Sequence, residues 1–139
     1  MGDSATSSRS DRGRRFARRV FLAAGAYGLV VLLPQYFLED RIGRAYPPPV
    51  THPEHFYGFV GLALVWQLAF LLIASDPIRY RPLMPVAVLE KAAFAIPTFL
   101  LFAAGRVAAA TTAVAGLDAL LGVLFVAAWR ATRPVETGR

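Results

Sequence analysis

Apolar residues fall into four long runs along this chain: Val20–Leu38, Phe56–Ala74, Val86–Gly105 and Val107–Trp129. Short stretches rich in charge, proline and glycine separate them. Each run is long enough to cross a hydrocarbon core of roughly 30 Å at about 1.5 Å of rise per residue. The pattern predicts an all-α fold, an integral membrane bundle of four antiparallel transmembrane helices. Inside the runs only Glu90, Lys91 and Asp118 are charged. A charge at membrane depth is costly, so these three are candidates for function.

The polar stretches set the boundaries. Residues 1–15 are rich in Ser, Gly, Asp and Arg and have almost nothing to bury, which predicts a disordered basic tail. Residues 16–133 form the expected membrane domain, with spans near 20–38, 56–74, 86–105 and 107–129, and 134–139 a short second tail. The Arg18-Arg19-Val20-Phe21-Leu22 stretch resembles a twin-arginine export signal. No A-x-A cleavage pattern follows it, so an uncleaved first helix is expected. Pro34 ends or kinks that helix. Glu39 to His55 reads as the longest connection, stiffened by Pro47-Pro48-Pro49. Ser75-Asp76-Pro77 marks a turn after the second span. The third span contains Pro97, and Gly105-Arg106 is short enough to force an antiparallel hairpin between spans three and four.

Composition narrows the class. Hydrophobic residues make up 56% of the chain and charged residues 17%, too little polar surface for a soluble domain of this size. There is no cysteine, which removes disulfides, thiolate metal sites and cysteine nucleophiles. The net charge of +6 is unevenly spread, with six arginines ahead of the first run. Because they abut a span, they point to orientation and anionic lipid, with no nucleic acid as partner. With the N-terminus inside, cytoplasmic segments carry 11 arginines and the opposite side 3. The expected location is therefore the cytoplasmic (inner) membrane, multi-pass, with both termini cytoplasmic. Tyr36 and Tyr57 then fall at the outer interface, and Tyr80 and Trp129 at the inner one.

Small residues mark faces where helices can approach closely. They are Ala24 and Gly28 in run one, Gly58 and Gly61 in run two, and the stripe Thr111, Ala115, Asp118 and Gly122 in run four. Expected partners are the lipid bilayer and, through such faces, a second copy or a membrane partner protein.

Depth, counted along each helix from its inner end, separates the buried polar residues. Asp118 is eleven residues from Trp129, about 16 Å in, near the midplane. Glu90 and Lys91 are only about 6–8 Å from Val86. Side chains lean toward the N-terminus of their own helix, which tilts these groups apart. Two layers are expected: Asp118 hydrogen-bonded by Gln67 and Thr98 at the midplane, and Glu90, Lys91 and Tyr27 nearer the inner rim. There Lys91 snorkels toward headgroups and Glu90 pairs with Arg79 or Arg81. These six residues, Asp118, Gln67, Thr98, Glu90, Lys91 and Tyr27, are the candidate ligand-binding set.

His52, Glu54 and His55 offer imidazole and carboxylate ligands, but their spacing matches no strong metal motif. Neither histidine is deep enough for a haem within the bundle. Phosphate loops, nucleophile elbows and zincin signatures are absent. No catalytic residue, metal or cofactor is assigned, and the reading leans away from an enzyme.

Four spans, short second and third connections and no large soluble part resemble the broad set of small bacterial four-helix membrane proteins of unknown function. The DoxX-like proteins are the nearest in architecture, over residues 16–133, and the resemblance carries over no site residue. Small multidrug-resistance transporters are similar in size but carry a glutamate in their first helix, where this chain has none. Arginine outnumbers lysine 14 to 1, which suggests a GC-rich bacterial gene. The first functional expectation is a non-enzymatic accessory or binding subunit. The second is a transporter or binder of small lipophilic molecules on an Asp118/Gln67 site, which requires a cavity reaching the midplane. The third is a membrane enzyme on a lipid-like substrate, which requires titratable groups converging on one cavity.

Overall fold

Each apolar run forms a helix in the computed structural model, which describes residues 3–46 and 49–134. Helix α1 spans Asp3–Leu32 and gives way to a 3-10 turn at Leu33–Phe37. The break falls at Pro34, whose ring clashes with the preceding helical turn and which lacks an N–H for the α ladder. A short helix, α2, follows at Glu39–Ala45, with Glu39 and Asp40 in its first turn and Arg44 in its last. That placement complements the helix dipole. Helix α3 covers Pro53–Ser75, α4 Met84–Ala103 and α5 Ala109–Ala131. Four of these five helices are long and apolar enough to cross a membrane. The chain is a multi-pass, all-α membrane bundle, and no strand occurs among the described residues.

Two segments differ from the sequence expectation. The region read as a disordered tail enters the structure as helix from Asp3 onward. Gly13 lies against the backbone of Ala131, so α1 reaches past the last turn of α5. The connection after α1 also contains α2, which the charged residues Glu39, Asp40, Arg41 and Arg44 concealed. Tyr57 donates a hydrogen bond of 2.7 Å to Glu39 Oε2, and its ring stacks on Tyr36 at 5.8 Å. These contacts hold α2 at the start of α3. Residues 1–2, Pro47 and Pro48 of the triple proline, and 135–139 of the second tail lie outside the described residues.

Gly105 closes the α4–α5 hairpin with φ of +68°, a left-handed conformation that side chains with a Cβ resist. The Arg106 N–H bonds Leu101 O at 2.9 Å and the Gly105 N–H bonds Phe102 O at 2.9 Å, so the end of α4 is satisfied.

Helix α1 packs along α3 and α5, and α4 packs along α5, while α3 and α4 meet only sparsely. The end of the bundle that holds the termini is solid. Phe21 stacks on Phe125 at 4.2 Å, and Phe70 meets Phe125 edge-on at 5.0 Å. Ile73, Met84 and small residues including Ala17, Ala74, Ala87 and Ala128 fill the space around the three rings. The opposite end, which carries α2 and the α4–α5 turn, is not filled in the same way, and the functional candidates lie there.

Candidate functional site

Lys91 and Asp118 are joined. The Lys91 ammonium lies 3.1 Å from Asp118 Oδ1 and 3.3 Å from Glu90 Oε2. The expectation that depth and lean separate them is overturned. Counting from the span ends hid the register that the hairpin imposes. Lys91 precedes Gly105 by fourteen residues and Asp118 follows it by thirteen, so antiparallel helices bring both to one level. The Lys91 stem leaves its backbone beside Gly122, where an added Cβ would sit 3.5 Å from Lys91 Cβ. Asp118 is one turn further toward α2, and the four-carbon lysine stem covers that turn. The lean rule describes Cβ, not the far end of a long side chain.

The ammonium turns into the bundle toward the two carboxyl groups. The Lys91 side chain is 7% exposed, against 17% for both Glu90 and Asp118. It also stands 5.3 Å from the centre of the Phe70 ring, a cation–π contact. One positive charge is thus held by two carboxyl groups above an aromatic plate. Glu90 does not pair with Arg79 or Arg81. Arg81 instead donates to Trp129 O at 3.1 Å and lies over the Trp129 ring at 5.0 Å, while Arg79 lies over Tyr80 at 5.5 Å. Glu90 Oε2 is buried and has no well-aligned hydrogen-bond donor.

Above this cluster lies a cavity of about 430 Å³. Glu90, Lys91 and Asp118 line its floor, with Gln67 from α3 and Tyr27 from α1. Apolar walls come from Val31, Phe59, Ala63, Phe94 and Val114. Ile42 and Tyr46 from the α2 region and Thr111 near the start of α5 also line it, so it runs from the α2 end down to the charged floor. Phe59 and Phe94 face each other at 6.2 Å across the thin α3–α4 side. The size falls in the range of pockets that hold drug-sized molecules.

Five of the six sequence candidates therefore share one cavity: Asp118, Gln67, Glu90, Lys91 and Tyr27. Thr98 does not line it. Its hydroxyl donates to Phe94 O at 2.8 Å, beside Pro97, where it braces a helix backbone that lacks one N–H. Gln67 does not bond Asp118 either. Its Nε2 donates to Ala63 O at 2.9 Å, and its amide oxygen packs on Gly28 so closely that any Cβ there would collide with it. The two expected layers are thus one, centred on Lys91.

The small-residue stripe of α5 faces protein as expected. Ala115 is fully buried, Gly122 backs Lys91, and Thr111 and Asp118 face the cavity. Gly58 faces open space, unlike Gly61, which lies near the Tyr36 hydroxyl. His52, Glu54 and His55 cluster on the exposed start of α3, with Glu54 Oε1 3.3 Å from His52 Nδ1 and 4.0 Å from His55 Nε2. None of the three lines the cavity.

Two contributors escaped the sequence reading: Phe70 under the ammonium and α2 at the far end. The only available signal was the near-equal distance of residues 91 and 118 from Gly105. No protein-family model, curated protein or solved structure matches this chain.

Proposed function

We propose that this chain is a non-enzymatic membrane protein that holds a small lipophilic molecule in the cavity above Lys91. One observation carries the reading: an apolar-walled cavity of about 430 Å³ runs from the α2 end to a charged floor at membrane depth. Buried charge is expensive, and three such groups turned toward one space are more than helix packing needs. Transport of the molecule, or its delivery to a partner subunit, is the extension of the same reading. The arginine distribution of the sequence supports a bacterial cytoplasmic membrane with both termini cytoplasmic, so that the cavity is reached from the outer side.

Native mass spectrometry of the protein purified in mild detergent tests the binding reading. Wild type is expected to retain an added mass of a few hundred daltons, and the cavity-filling variant Ala63→Trp to lose it. Equal occupancy of wild type and Ala63→Trp, or no bound mass in either after exposure to a membrane lipid extract, contradicts it.

A second reading, a membrane enzyme on a lipid-like substrate, is favoured by one feature. Glu90 and Asp118 converge on one cavity, which a general acid and base require. Incubation with the same lipid extract followed by product analysis tests it. Turnover that Glu90→Gln abolishes supports this reading, and no product from the wild type removes it.

A further inference from the structure

The charge balance of the floor points to the kind of molecule the cavity takes, and this step rests on the binding reading above. The floor has two carboxyl groups, Glu90 and Asp118, and one ammonium, Lys91. The other titratable side chains that face the space are phenols, Tyr27 from α1 and Tyr46 after α2. Helix α3 contributes the neutral Gln67. Among the described residues, no second cation lines the cavity. One carboxylate is therefore in excess.

Accessibility points the same way. Lys91 is the most covered of the three at 7% exposure, wrapped by both carboxyl groups and by Phe70, so an anion finds little of it to touch. The Glu90 and Asp118 side chains, at 17% each, are more exposed than Lys91, although Glu90 Oε2 itself is buried. The aromatic side chains of Tyr27, Tyr46, Phe59 and Phe94 line the walls, and ring faces attract organic cations.

We propose that the cavity takes a lipophilic cation, an apolar body with a single positive charge, and that a proton competes with this cation for the excess carboxylate. In the empty cavity a proton neutralises the excess, and in the filled one the ligand does. Binding of one cation then releases one proton, and charge is balanced in both states.

Two probes of the same shape and opposite charge, tetraphenylphosphonium and tetraphenylborate, provide the test, with triphenylphosphine oxide as a neutral third. Binding to the purified full chain in an uncharged detergent is measured by equilibrium dialysis, counting only the part that Ala63→Trp removes. The phosphonium is expected to bind tighter than the other two by about tenfold or more, the scale of one charge contact in a low-dielectric site. Its affinity is expected to weaken as pH falls, by up to about tenfold per pH unit, because protons take its place. Asp118→Asn and Glu90→Gln each leave one carboxylate for one ammonium, and each is expected to abolish the preference. If one variant fails to fold, the other still decides.

Equal binding of all three probes, or preference for the borate or the oxide, overturns the cation inference and leaves the binding reading standing. A phosphonium preference unchanged in both variants overturns it as well. Cavity binding of none of the probes overturns the binding reading and this inference together.

Discussion

The ammonium of Lys91 and the carboxylate of Asp118 meet at 3.1 Å across the α4–α5 hairpin. Lys91 is also the only lysine of the chain, and it serves Glu90 as well as Asp118. Lys91→Met leaves two carboxyl groups without a counter-ion at membrane depth. Loss of one partner from a buried pair costs about 3–5 kcal/mol, and a comparable loss is expected in detergent unfolding. The triple variant Lys91→Met, Glu90→Gln, Asp118→Asn removes every charge and is expected to recover most of that stability. A triple variant as unstable as Lys91→Met would show that packing, not charge balance, governs the site.

Gln67 packs its amide oxygen on the bare backbone of Gly28, and both residues line the cavity. Gly28→Ala is expected to force the glutamine out of place at a cost of about 1–3 kcal/mol. Gln67→Ala in the same chain is expected to restore most of the loss. Additive losses in the double variant, read from thermal unfolding, would contradict the contact.

Tyr57 fastens α2 through its bond to Glu39. Tyr57→Phe removes that bond and is expected to speed amide exchange at Ile42 and Tyr46. Their N–H groups bond Leu38 O at 2.8 Å and Ile42 O at 2.9 Å within this element. Unchanged exchange there, with α3 as internal reference, would show that α2 is held by other contacts.

The spans were legible because membrane crossing is a length-and-hydropathy property, and each run supplies both on its own. The bundle interior was not, because lipid-facing and protein-facing residues are equally apolar. Phe21, Phe70 and Phe125 look no different in sequence from the exposed Phe59 or Phe99. The site was half legible. Charges at depth singled out Glu90, Lys91 and Asp118, but their mutual distance depends on hairpin register and on where a long flexible stem ends. Gly105 was recognised as the turn, and counting outward from it places Lys91 opposite Asp118. Thr98 was misjudged for a related reason. Depth alone brought it near Asp118, while the direction of its side chain follows from the local backbone around Pro97.

The hairpin register rests on Gly105, whose φ is +68°. Gly105→Ala is expected to lower stability by about 1–2 kcal/mol, the usual cost of a Cβ in the left-handed region. Gly105→Asn is expected to cost less, since asparagine tolerates that region better. Equal, negligible effects of both in denaturant unfolding would show that the turn accommodates other conformations.

The absence of cysteine allows single thiols to be placed without background. Ala63 lines the cavity, Ala87 lies in the solid end of the bundle, and Leu68 is an exposed apolar position outside the cavity. A charged, water-soluble methanethiosulfonate reagent reacts with thiolates, which form only where water reaches. Ala63→Cys is expected to be modified readily, and Ala87→Cys and Leu68→Cys to remain unmodified under the same conditions. An Ala63 thiol as inert as the other two would contradict a cavity open as far as the floor formed by Lys91 and Asp118.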